Sequence, residues 1–149
     1  MDDFNDMPDA GHRRPDGVSD GAVEALGSLS EALEVVEYGR GLLYGFHRLA
    51  GTADSTLATA IRQFRDDGSE AIADRLEHEL LGRNVLSGQW TFQVVEEYDD
   101  GYYSTFKRIE ADARRELVGG RRHLHEAEMK EAERTRGRSG HEARPATAG

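Results

Sequence analysis

The sequence predicts an all-α protein: a small helical bundle of about four core helices, a charged C-terminal helix or arm, and a disordered N-terminus. Three observations predict it. Apolar residues recur every third or fourth position over long stretches, a spacing that only a helix gathers on one side. Capping residues stand ahead of several of these stretches, and glycines follow them. The one segment whose residues favour a sheet, "WTFQVV", runs on into a helical register.

Residues 1–27 hold Pro8, Pro15, many aspartates and few large apolar side chains. Such a segment cannot bury enough surface to offset its ordering entropy, so 1–27 is expected to be disordered. Ser28 and Glu31 then form an S-x-x-E capping box. Leu29, Ala32, Val36, Gly39, Leu43, Phe46 and Ala50 follow at helical spacing, widened by Val35 and Leu42 into one broad apolar face. Gly51 is expected to end this first helix. Asp54 caps a short second helix with Leu57, Ile61 and Phe64 inward. Ser69 caps a third, with Ile72, Leu76 and Leu80 inward and Gly82 as its stop. The fourth carries Val95, Tyr98, Tyr102, Phe106, Ile109, Ala113 and Leu117 on one side, and Gly119–Gly120 breaks it. The organisation is thus a helical core at 28–118, a charged helix or arm at 119–137 that docks through Leu124 and Met129 or projects, and a disordered tail at 138–149.

Composition narrows the function classes. Charged residues make up 32% of the 149 and hydrophobic ones 37%, so the core is small. The formal net charge is −10, which repels nucleic acid and anionic membranes unless a local basic patch overrides it. Residues 1–118 carry 12 Arg/Lys and 24 Asp/Glu, while 119–149 carry 7 and 5. The absence of cysteine removes disulfides, thiol chemistry and Cys-based zinc sites, and suits a reducing cytoplasm. No apolar run reaches the roughly 18 residues of a membrane span, and the acidic N-terminus lacks signal-peptide order. A soluble, cytoplasmic protein with no membrane partner is expected.

Motifs that would announce chemistry are missing. There is no Glu-x-x-His of a di-iron bundle, no H-E-x-x-H and no G-x-S-x-G. "GRGLLYG" has the wrong spacing and no preceding strand for a dinucleotide loop. His123 and His125 lie two apart, which suits a loop better than helical metal ligands, so no metal and no cofactor are expected. The stretch "GRNVLSGQWTFQVVEEYDDGYY" leaves two residues that packing does not explain. Trp90 falls off the apolar face, as a connector residue or a contact surface would. Asp99 falls inside that face and needs a partner. Arg40 and His47, seven apart on the first helix with Tyr44 between, are the candidates. Arg40, Tyr44, His47 and Asp99 therefore form either a structural polar seam or a small polar pocket. Arg114, Arg115, Arg121, Arg122, His123 and His125 gather basic charge at the Gly-Gly break. No aromatic interleaving accompanies them, so nucleic acid is disfavoured, and Arg121 and Arg122 are read with Trp90 as contact-surface candidates.

The strings "GRNVLSGQWTFQVVEEYDDGYY", "GGRRHLHEAEMKEAE" and "GHEARP" resemble an uncharacterised family of small actinobacterial proteins, over roughly Leu33 to Pro145. The resemblance implies a cytoplasmic bacterial protein and carries over no activity, cofactor, partner or site residue. Taken together, the expected function is a non-enzymatic helical module that works through a protein partner or a homodimer. The alternatives are a small-ligand or metal-binding bundle, an enzyme included, using the polar seam, and phosphate or nucleic-acid binding through 114–125.

Overall fold

The computed structural model describes residues 6–146; the disorder expected at 1–5 and 147–149 lies outside them. The fold is all-α, with helices α1 (Asp20–Asp66), α2 (Glu70–Glu79), α3 (Thr91–Tyr98), α4 (Ser104–Val118) and α5 (Leu124–Glu133). A single π-helical turn, Asp99–Tyr103, joins α3 to α4. The chain divides into two compact units rather than one core: Met1–Glu34 with Phe106–Gly149, and Val35–Thr105. Helix α1 contributes to both.

Three expected boundaries move, each for a local reason. Helix α1 starts eight residues before Ser28, at Asp20, because Ser19 Oγ already accepts the Ala22 N–H at 3.1 Å. It does not stop at Gly51. Thr52 and Thr56 donate their hydroxyls back to the carbonyls of Arg48 and Thr52, at 3.1 and 2.9 Å, and the first two expected helices become one of 47 residues. Asp54, read as a cap, serves another backbone: its carboxylate accepts the Gly82 N–H at 3.0 Å.

The π-turn causes the fourth difference. It inserts extra arc into the helix and rotates everything after it. Tyr102, Ile109 and Leu117, expected inward, stand half exposed or more. Tyr103, Glu110 and Val118 take the inner positions one residue later.

In the first unit Val23, Val118 and Leu124 form the buried cluster, with Val18 and Leu26 packed on it. Arm α5 therefore docks through Leu124, whereas Met129 stays exposed. Gly119 and Gly120 turn the chain from α4 to α5 at φ +64° and +78°, a conformation that side chains resist. Beneath the turn, Glu110 is buried. It accepts from Ser30 Oγ at 3.1 Å and from Arg114 Nε and Nη2 at 3.1 and 3.2 Å.

The described part of the expected disordered segments is tied to α5. Arg14 makes a two-pronged bond to Glu128 at 2.9 Å for each arm. Arg134, its side chain 3% exposed, holds Asp6 at 2.7 Å, the His141 carbonyl at 3.2 Å and the Glu131 carboxylate. Ion pairs to 6–19, and hydrogen bonds from Arg134 and Lys130 to the carbonyls of His141 and Ala143, supply the anchoring that the sparse apolar residues of 6–19 and 138–146 cannot.

In the second unit the turn at Gly68 (φ +80°) folds α2 back on the end of α1. Arg65 clamps it by reaching Glu70, Asp74 and Glu77 at 2.7, 2.8 and 2.5 Å.

Candidate functional site

One row of α1 faces the interior of the second unit: Val36, Arg40, Leu43, His47, Ala50, Asp54, Leu57, Ile61 and Phe64, all partly or fully buried. The steps alternate four and three, the spacing that keeps one side of a helix against its neighbour. Polar residues enter this row at 40, 47 and 54, seven apart, and each finds a partner. Arg40 Nε and Nη2 donate to Asp99 Oδ1 and Oδ2 at 2.8 and 2.9 Å. His47 Nδ1 lies 2.7 Å from Thr91 Oγ1. Asp54 takes the Gly82 N–H. The three rungs descend the opposing chain, 99, 91, 82, as α1 ascends, and so hold the antiparallel register.

The structure thus brings Asp99 to Arg40 but gives His47 a different partner, Thr91. Tyr44 stays at the edge, with its hydroxyl 3.5 Å from Arg40 Nη2. The Arg40 guanidinium lies over two rings, 4.9 Å from the centre of Tyr44 and 4.6 Å from that of Tyr103, a cation–π arrangement. Tyr103 donates its hydroxyl to both Glu37 oxygens at 2.7 and 2.9 Å. Tyr103 and Glu37 were absent from the sequence candidates because the π-turn, not the 3.6 period, carries Tyr103 inward.

The electrostatics follow from these bonds. The hydrogen bonds from Arg40 hold the Asp99 carboxyl below its ordinary 3.8, against the opposing effect of burial. The Glu37 carboxylate, and then burial, push the Tyr103 phenol up. A lowered native pKa gives stability that is present above the unfolded value and lost as pH falls through the native one. The Asp99 contribution is therefore complete above about pH 4 and disappears in more acid solution. Arg40 and Asp99 are 29% and 24% exposed, so solvent moderates the pair. Asp99→Ala and Arg40→Ala are each expected to lower the melting temperature by a few degrees at pH 7, and the double variant by less than their sum. The difference between wild type and Asp99→Asn should shrink below pH 4. Additive losses, or a difference unchanged by acid, would contradict the pairing.

Trp90 stands just before α3 and is 45% exposed. Its indole N–H donates to the Gly82 carbonyl at 3.1 Å, and its backbone N–H to Gln93 Oε1 at 2.8 Å. The ring forms one wall of an open groove of ≈ 1050 Å³ that Ala53, Leu57, Leu80 and Val85 also line. Arg121 borders a small cavity of ≈ 20 Å³ in the first unit, with Val23 and Leu124 among its other walls. Arg122 is exposed. Two other members of the basic cluster are neutralised, Arg114 by Glu110 and Arg115 by Asp112 at 2.6 Å. His125 packs its ring against Gly27. Among the described residues no three His, Asp or Glu side chains converge as a metal site, and no helix is long and apolar enough to cross a membrane.

The largest departure from expectation is on the other side of α1. The broad apolar face is two faces. Val36, Leu43 and Ala50 point inward, whereas Val35, Tyr38, Leu42, Phe46 and Leu49 are 67%, 73%, 61%, 50% and 70% exposed. Period alone marks both faces as apolar; it does not tell which of them the rest of the chain covers. Gly39, Gly41 and Gly45 lie along this open region, where a side chain would meet nothing within 4 Å.

No family model, curated protein or solved structure matches this chain.

Proposed function

We propose that this chain is a non-enzymatic helical interaction module that works through the exposed apolar face of α1. The carrying observation is that face: five large apolar side chains in one row, each half exposed or more. Soluble proteins seldom leave such a row bare, and one that does so usually covers it with another protein. The polar seam supports a structural role over a ligand site, since Arg40 and Asp99 neutralise one another and Glu37 accepts the Tyr103 hydroxyl. Phosphate binding at 114–125 is weakened by the pairing of Arg114 and Arg115. The reading includes the soluble, cytoplasmic and bacterial character expected above, with no nucleic-acid or membrane partner.

Native mass spectrometry of the full chain purified from its own host tests the proposal. It predicts a protein assembly, with itself or with another chain, that Leu42→Gln with Leu49→Gln disrupts without loss of helix. A monomer carrying a retained small molecule or metal, indifferent to those substitutions, would defeat it.

A further inference from the structure

Resting on the interaction reading, we infer that the occupant of this face is a second copy of the chain, paired antiparallel along α1 in one register. The exposed row Val35, Gly39, Leu42, Phe46, Leu49, Ala53 alternates steps of four and three. That is the seam of a two-helix coiled coil. Its neighbour, the inward row that begins Val36, Arg40, Leu43, has the same spacing displaced by one residue and is consumed within the unit. Helix α1 therefore carries two seams side by side, and one has no partner among the described residues.

Side-chain sizes select the direction. In an antiparallel pair centred on residue 44, Val35 of one copy meets Ala53 of the other, Gly39 meets Leu49, and Leu42 meets Phe46. Two of these three layers set a large side chain on a small one. A parallel pair sets each residue on itself, leaving a void at Gly39 and crowding two rings at Phe46, and both faults are destabilising. A glycine inside a helix costs about 1 kcal/mol relative to alanine. A side chain at Gly39 would meet nothing within 4 Å among the described residues, and Leu49 of a second copy would fill that space.

Charge selects the same direction. Residues 20–37 of α1 hold Asp20, Glu24, Glu31, Glu34 and Glu37 and no basic residue, while 38–66 hold Arg40, Arg48, Arg62 and Arg65 with Asp54 and Asp66. Parallel pairing aligns the two acidic halves. Antiparallel pairing about residue 44 sets 20–37 of one copy beside 51–68 of the other, where Arg62 and Arg65 offset part of the charge of Asp54, Asp66 and Asp67, sets Arg40 beside Arg48, and opposes the helix dipoles. Area is also sufficient. The five large side chains present roughly 500 Å² per copy, so two copies cover roughly 1,000 Å², near the lower bound of specific interfaces.

The chain has no cysteine, so crosslinking tests the register in the full-length protein. In the antiparallel pair, residue 35 of one copy lies ~27 Å from residue 35 of the other, eighteen residues along a helix. A short bis-maleimide should therefore leave Val35→Cys alone and Ala53→Cys alone uncrosslinked. A mixture of the two variants should give a covalent dimer, and sedimentation equilibrium should show the unmodified chain as a dimer. Val35 and Ala53 are both exposed, and unchanged circular dichroism confirms folding of each variant. Self-crosslinking of Val35→Cys in a dimer would overturn the antiparallel register while sparing the interaction reading. A purified monomer that enters a Leu42-dependent assembly only in host extract would overturn the second copy as partner and spare that reading too. A monomer in both settings, indifferent to substitution on this face, would sink both.

Discussion

Leu124→Ala is expected to destabilise the first unit by about 2–4 kcal/mol, from lost burial plus the cavity left behind. Leu124 is 6% exposed and, among the described residues, one of three in its buried cluster, with Val23 and Val118. So thin a core has little to collapse into the space, and the loss is a large part of the stability of a small domain. The cost should reach beyond α5. That helix carries Glu128 and Glu131, the acceptors for Arg14 and Arg134, so loosening it should release the segments at both ends of the chain. Urea unfolding measures the energy. Brief trypsin treatment should show cleavage at Arg13, Arg121 and Arg122 well ahead of wild type. Equal stability and an equal digestion pattern would mean that α5 does not dock through Leu124.

Glu110→Ala is the second large expected effect. The carboxylate is buried, and Arg114 (21% exposed) donates to both of its oxygens. Removing it leaves a part-buried guanidinium without its counter-charge and Ser30 without its acceptor. Breaking a fully buried pair costs about 3–5 kcal/mol; with Arg114 partly hydrated, about 1–3 is expected. Arg114 retains the Gly120 carbonyl at 3.0 Å, which ties the effect to the Gly-Gly turn. Glu110→Gln keeps shape and an acceptor for Ser30, and should recover part of the loss. Thermal or urea unfolding of both variants decides it. A Gln variant no better than Ala would show that charge, rather than the hydrogen-bonded frame, carries the contribution.

What was legible in the sequence followed from periodicity and from unmatched polarity. The helical class rests on three-and-four spacing that no strand can reproduce. Asp99 was identifiable because a carboxylate in an apolar row demands a partner, and Arg40 was the cation placed to meet it. The seven-residue interval to His47 marked the same line, although Thr91, a neutral residue without a pattern of its own, turned out to be its neighbour. The π-turn was not legible. "DDGYY" reads as an ordinary helical stretch, yet one widened turn exchanges Tyr102 for Tyr103 and Ile109 for Glu110. The anchoring of 6–19 was missed because low apolar content says nothing of Arg14 and Arg134, whose partners lie more than a hundred residues away. Gly51 misled because a glycine ends a helix only when the chain takes the left-handed turn there, as it does at Gly82 (φ +70°) and Gly119. The two faces of α1 could not be told apart, since burial depends on what the rest of the chain reaches.

The central claim is that the bare face of α1 is a protein interface. Sedimentation equilibrium of wild type beside Leu42→Lys/Leu49→Lys, over a wide concentration range, tests it most directly. Both substituted residues are exposed, so the variant should keep its helix content while a lysine pair disrupts the seam. The predicted result is a wild-type mass of two chains and a variant mass of one. Identical single-chain masses for both proteins, with no larger assembly of wild type in host extract, would contradict it.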